Sequence, residues 1–342
     1  MTMTMTSTDL TAIDVRRQTA SGRIALVLLA VAVIGLTLMP FWAKTGTIRM
    51  VLELCCYLAV AQMWNMLAGY GGLVSVGQQA FMGAAGYALF VLAQIFGINP
   101  FVAIFLSLLV PAMLAVSCYL LLHRLDGPYF AIGTWVVAEV FRLVASNMSW
   151  LNAGAGMSLS VMKDYSGFQR NLAMSLLCAL MVLVCIGGSY WFLRSRYGLA
   201  LIAMRDNPVA AASQGVNVRR LRFMIYVAAA IGCGFVGAVY FMAQLRINPQ
   251  AAFDPMWSNV AIFIVMVGGI ASIEGVLIGT FIYFLADRWL GSYGASYFII
   301  LGVLTVLVAV YARGGIWGMI SARWDAPWFP IRRHLILKGE KS

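Results

Sequence analysis

The chain is poor in charge, histidine and cysteine pairing. Only 10% of its 342 residues are charged, against roughly 25% in a soluble domain, while 62% are hydrophobic. That balance excludes a soluble globular fold. Two histidines, His123 and His334, leave little for metal or acid–base chemistry, and no catalytic residue or metal ligand set is expected. The six cysteines, Cys55, Cys56, Cys118, Cys178, Cys185 and Cys233, form no C-x-x-C pair and lie in or beside apolar runs, where they serve as small packing or lipid-facing residues. None of Lys44, Lys163, Lys338 and Lys341 follows a glycine, so the chain has no phosphate-cradling G-x-x-x-x-G-K-[ST] loop.

What is present is apolar length. Runs such as 24–43, 172–193 and 296–312 approach the roughly 20 residues a helix needs to cross hydrocarbon. The first follows Arg16, Arg17 and Arg23 and exceeds the core of a signal peptide, so it is expected to remain as an anchor. Spans are predicted at 24–43, 48–69, 73–97, 100–122, 129–146, 171–193, 222–245, 256–271, 275–290 and 294–312. The stretch 259–289 reads either as one long tilted helix or as two short ones divided at Gly268 to Gly275. The class is therefore all-α, a polytopic integral membrane protein of about ten transmembrane helices. Residues 1–23 are expected to be a disordered N-terminus, 24–312 the membrane domain, and 313–342 a basic tail.

Charge orients it. The net charge of +11 marks the cytoplasmic face and not a nucleic-acid partner. Six arginines crowd 194–222, and the same side receives the N-terminus six spans earlier and the tail four spans later. Both termini are then cytoplasmic. Trp42, Trp150, Trp257 and Trp289 fall near span ends, as interfacial anchors do.

Glycine marks the joints. Gly71 to Val76 and Gly268 to Ile273 are two copies of G-G-[LI]-x-S-[VI], and an internal repeat of broken helices is a transporter feature. Helix-joint glycines are Gly71, Gly72, Gly268, Gly269, Gly275 and Gly279. Between the copies, the loop 194–221 reads as a short surface helix: Asp206 or Asn207 caps it, Pro208 opens it and Gly215 ends it. Ala210, Ala211 and Ala212 give it a thin face suited to a groove. Polar residues within spans are the pathway candidates: Ser75, Gln78, Gln79, Thr134, Glu139, Ser272 and Glu274. Glu139 and Arg142, three apart on one helix, read first as an ion pair. Glu53 and Asn65 receive no role.

These residues resemble the permease subunits of ATP-binding-cassette importers for branched-chain amino acids, of the LivM type. Gly198 to Gly215 matches the family's G-x-A-x-x-A-x-R-D-[DN]-x-x-A-A-x-x-x-G loop, and Gly268 to Gly279 matches G-G-x-x-[ST]-x-x-G-x-x-x-G. Pro249 to Asp254, Gly69 to Gln78, Leu125 to Ile132 and Asn152 to Met157 resemble further family segments, so the likeness spans about residues 50–320. The chain departs from the pattern at Arg222, usually lysine, at Ala153, usually glycine, and at Arg313-Gly314-Gly315, near which the family has proline. The resemblance implies a cytoplasmic coupling helix carrying Gly198, Ala203, Arg205, Asp206, Asn207, Ala210, Ala211 and Gly215. It also implies two ATP-binding-cassette ATPase subunits that hold ATP and Mg, a second homologous permease, a periplasmic or extracellular solute-binding protein, and a multi-pass place in the bacterial inner membrane. No cofactor is expected in this chain. Permeases for urea or short-chain amides share the pattern, and an ion-coupled secondary transporter is the other class of alternative.

Overall fold

The computed structural model describes residues 13–16, 20–312, 314–323, 329 and 334–337. Helices account for nearly all of them. In chain order they are α1 (Ala20–Leu38), α2 (Thr45–Trp64), α3 (Gln78–Phe90), α4 (Pro100–Ser107), α5 (Leu109–Leu122), α6 (Pro128–Asn147), α7 (Gly167–Val182) and α8 (Gly188–Leu193). There follow α9 (Arg196–Asp206), α10 (Pro208–Ser213), α11 (Val218–Gln244), α12 (Pro249–Ala252), α13 (Met256–Gly268), α14 (Ile273–Leu290), α15 (Ala295–Tyr311) and α16 (Gly315–Ser321). Single π-helical stretches extend α2 through Asn65–Tyr70 and α3 through Val91–Ile95, and another, Leu183–Gly187, joins α7 to α8.

Among the described residues, eight helical segments are long and apolar enough to cross a membrane. The chain is thus a multi-pass membrane protein. The two expected spans outside that set exist as helices of mixed character. The helix expected over 73–97 starts only at Gln78, and α14 carries Glu274, Asp287 and Arg288. The stretch 259–289 is two helices, because the chain turns at Gly269 (φ 139°) and Ala271 (φ 59°).

Small pieces of strand interrupt the all-α plan. β1 (Ile13–Arg16) pairs antiparallel with β4 (His334–Leu337), and β2 (Met157–Ser158) with β3 (Arg246–Ile247). So β1 and the first turn of α1 fall within 1–23, where no structure was expected: Ile13-Asp14-Val15-Arg16 alternates apolar with polar, and β4 supplies the partner such a strand needs. Residues 1–12 and 17–19 lie outside the described residues, as does Arg313.

The core is organised around α11. Its glycines let neighbouring backbones come close, as small residues do between membrane helices. A Cβ on Gly237 would stand 2.2 Å from the Met82 carbonyl oxygen of α3, and one on Gly234 2.6 Å from the Pro111 ring of α5. Larger side chains fill what remains: Tyr226 of α11 meets Phe81, Tyr119 and Phe130 in ring contacts of 5.7–6.0 Å. All six cysteines are buried, in keeping with the packing role. Of the four expected tryptophan anchors, Trp42, Trp150 and Trp289 are exposed, but Trp257 is buried against Tyr57 and Tyr240 and is no anchor. The turn at Asn152 and Ala153 has φ of 64° and 45°, so this chain adopts at Ala153, without glycine, the conformation that glycine favours.

Gly237→Val is expected to lower the thermal midpoint of the purified protein in mild detergent, by overpacking worth about 1–3 kcal/mol. Gly35→Ala, where a Cβ meets nothing within 4 Å, leaves the midpoint unchanged.

Candidate coupling and pathway site

The surface loop folds as its sequence dictates. Ser195 caps α9 by accepting from the Tyr197 N–H (3.2 Å), and a Cβ on Gly198 would collide with the Leu193 carbonyl, which holds the turn out of α8 tight. Asn207 caps α10: its Oδ1 accepts from the Val209 and Ala210 N–H groups at 3.1 and 3.0 Å, Pro208 takes the first position, and Gly215 leaves the helix at φ 85°. Asp206 pairs instead with Arg205 at 2.8 Å. Ala203, Val209, Ala210 and Ala212 are exposed and Ala211 is buried, so the loop presents a thin outer face over a seated inner one.

Arg205 reaches inward as well. Its Nη1 donates to the Gly69 carbonyl oxygen at 3.0 Å, in the π-helical end of α2. One turn earlier, the buried Asn65 bridges to the second joint: its Oδ1 accepts from the Ala271 N–H (2.9 Å) and its Nδ2 donates to the Ser272 carbonyl (3.1 Å). One carboxamide thereby satisfies a donor and an acceptor of a non-helical backbone that neither α13 nor α14 can serve. The two glycine-pair copies, about two hundred residues apart in sequence, meet through Asn65 and Gly69. A Cβ on Gly69 would lie 2.8 Å from the Ala271 nitrogen.

The joints themselves are built alike. Gly72 (φ 69°) and Gly269 (φ 139°) turn the chain, and Ser75 and Ser272 each accept from a backbone N–H just beyond, of Gly77 (3.3 Å) and Gly275 (3.2 Å). Gly71 closes the end of α2 by donating to the Met66 carbonyl. Gly268, Gly275 and Gly279 bring α13 and α14 into backbone contact, since a Cβ on Gly268 would lie 1.9 Å from the Gly275 carbonyl oxygen and one on Gly279 2.0 Å from that of Ile264. Gly315 closes on the same place, its Cβ position 2.5 Å from the Gly269 Cα. That contact accounts for Gly314-Gly315, near which the resemblance has proline. Glu274, buried in the first turn of α14, accepts from the Phe329 N–H at 2.7 Å, and the Phe329 ring sits edge-on to Tyr190 at 5.3 Å.

The remaining pathway candidates separate. Thr134 accepts from the Val76 N–H (3.1 Å) and ties the extended 71–77 segment to α6. Ser258 of α13 accepts from the Gln78 N–H (3.2 Å) and donates to Gln79 Oε1. Ser75, Gln78, Gln79 and Thr134 therefore form one buried group with Ser258. Within it and on neighbouring α2, the side-chain amides of Gln62 and Gln78 and the Gln79 nitrogen have no protein partner among the described residues, so this is a place that can hold water or a polar solute. Glu139 does not join. It chelates Arg142 at 2.9 and 3.0 Å on the outward side of α6, as the ion-pair reading has it. Sequence reasoning gave no role to Asn65, Gln62 or Ser258. An asparagine within an apolar run was the available signal for the first, but its partner is too distant in sequence to be read.

Comparison with known proteins identifies the family. Residues 46–310 match the family model described as the permease component of branched-chain amino acid transport systems. The high-affinity branched-chain amino acid transport system permease protein LivM of Escherichia coli (strain K12) is 22% identical over 319 residues, covering 86% of this chain and 73% of that protein. A probable branched-chain amino acid transport permease protein, LivH, of Methanocaldococcus jannaschii is 24% identical, covering 70% and 82%. The fructose import permease protein FrcC of Rhizobium meliloti is 28% identical over a shorter stretch, 37% of each chain. No solved structure matches.

Asn65→Leu leaves the Ala271 N–H and Ser272 carbonyl without their partner and is expected to cost about 1–3 kcal/mol, read as a lower thermal midpoint. Glu139→Gln alone strands Arg142 within a span and is expected to lower the thermal midpoint more than the double change Glu139→Gln, Arg142→Gln, which removes both charges together.

Proposed function

The chain belongs to the family of permease components of branched-chain amino acid transport systems, and from that premise we propose that it is one of two permease subunits of an ATP-binding-cassette importer in a bacterial inner membrane. Its solutes are amino acids with branched or otherwise apolar side chains. A second, homologous permease completes the pathway. Two ATPase subunits, which bind ATP and Mg, drive alternating access, and a solute-binding protein delivers from the far side.

The topology of this reading has ten crossings, both termini and the 194–221 loop being cytoplasmic. With the eight apolar segments alone, the arginine-rich loop would follow five crossings and face away from the N-terminus. Counting Gln78–Ile95 and α14 restores six before it and four after, which agrees with the positive-inside rule. The β1–β4 ladder supports the shared side of the termini.

One observation carries the mechanism: Arg205 binds the Gly69 carbonyl, and Gly69 sits one turn from the Asn65 clamp on residues 271–272. A movement of the α9–α10 surface by a docked ATPase is passed by these bonds to both helix breaks at once. The exposed Ala203, Val209 and Ala210 are the face on which the ATPase seats, with Asp206 and Asn207 at its edge. The buried Ser75, Gln78, Gln79 and Thr134 group, with Ser272 and Glu274 at the second joint, is what such a movement rearranges.

Replacing Arg205 and Asp206 with alanine is expected to abolish uptake while the amount of chain in the membrane stays unchanged. Uptake at the unaltered rate overturns the coupling role. A mild-detergent pull-down of the tagged chain is expected to recover two ATPases and a second permease; recovery of the chain alone overturns the importer.

A further inference from the structure

A carboxylate stands at the edge of a cavity lined mainly by apolar side chains. Asp254 follows α12 and opens α13, which runs 13 residues to the joint at Gly268. At a rise of 1.5 Å per residue this sets Asp254 about 20 Å from the joint, at the opposite end of α13. It is exposed, and among the described residues no basic group pairs with it. Its Oδ1 accepts the Met256 N–H at 2.8 Å, leaving Oδ2 open. One turn on, Asn259 is exposed too, and its side chain has no hydrogen-bond partner among the described residues.

Both side chains face one cavity of about 700 Å³, between α13, α14 and α15. Val260, Phe263 and Leu301 give it an apolar wall, and Thr305 adds a hydroxyl from α15. A carboxylate and a carboxamide at one end of an apolar cavity of this size are the layout of a small-molecule site, a few polar groups fixing orientation and apolar walls taking the rest. A carboxylate oxygen left open beside apolar walls is satisfied by water or by a cationic partner. The cation that fits is one carried by the solute.

We propose that Asp254 and Asn259 hold the ammonium group of the passing solute, and that its apolar substituent lies against Val260, Phe263 and Leu301. The class is an α-amino acid with an apolar side chain. A neutral amide or a carboxylate lacking the ammonium is not retained. This rests on the permease reading above and adds to it a contact site in this chain.

The test uses the complete importer in native membranes, with Val306→Cys, a cavity-lining position outside the proposed contacts, read by a charged, water-soluble methanethiosulfonate reagent. The six natural cysteines of this chain are buried, so labelling read on this chain alone reports the new thiol against a quiet background. The expected result is rapid labelling, slowed by leucine and unaffected by 4-methylpentanoate or acetamide. An unreactive thiol overturns the site, and so does protection by either comparator equal to that by leucine. Asp254→Asn keeps a helix-capping acceptor but removes the charge. It is expected to remove the leucine protection and to lower leucine uptake about 10–100-fold, the worth of one charge-assisted hydrogen bond; Asp254→Glu retains both in part. Full protection and uptake in Asp254→Asn overturn the ammonium contact. Should the Val306→Cys complex label and be protected by leucine while the unaltered complex takes up no leucine, the importer reading falls and the site stands.

Discussion

Backbone that leaves a helix and is buried within the protein must find its hydrogen bonds from protein, because no water replaces them. Two such stretches are 71–77 and 269–272, and several buried polar side chains answer that demand. Asn65 serves Ala271 and Ser272, Thr134 serves Val76, and Ser258 serves Gln78. Each partner comes from a different helix, so α2, α6, α13 and α14 are held in mutual register by the needs of two short stretches. Buried polar groups here act less as adhesive than as alignment.

Glycine makes the arrangement possible from the other direction. Side chains would hold α3 away from α11 and α13 away from α14. With those side chains gone, backbones meet closely enough for short polar residues to reach the breaks. Dispersion between close backbones then supplies the attraction that apolar burial cannot supply between helices surrounded by lipid.

Much of this was legible in one dimension. Apolar runs located the spans, and Asn207-Pro208 with Gly215 drew the surface helix nearly to the residue, although Asp206 proved to be Arg205's partner and not the cap. The glycine pairs marked both breaks. What hydropathy could not convey was pairing at a distance: Asn65 looked idle because its partners lie beyond residue 270, and Trp257 looked interfacial because its burial depends on Tyr57 and Tyr240. Glu139 passed the test of being polar within a span and still faces outward, since a three-residue spacing to Arg142 satisfies it locally. Asp254 and Asn259 were missed because they lie at one end of a span, where polar residues are ordinary until a third dimension brings α15 across from them.

The Asn65 clamp also sets a timetable for biosynthesis. Its acceptor side meets an amide 206 positions later in the chain. At about 5–20 residues per second, that separation is roughly 10–40 s of translation. For that interval α2 and α3 sit in the membrane with the break between them unfinished, and the segment 71–77 cannot settle until the ribosome has delivered α13 and the turn after it. The amino-terminal half of the protein is therefore a waiting intermediate, and its survival depends on what the insertion machinery lends it in the meantime.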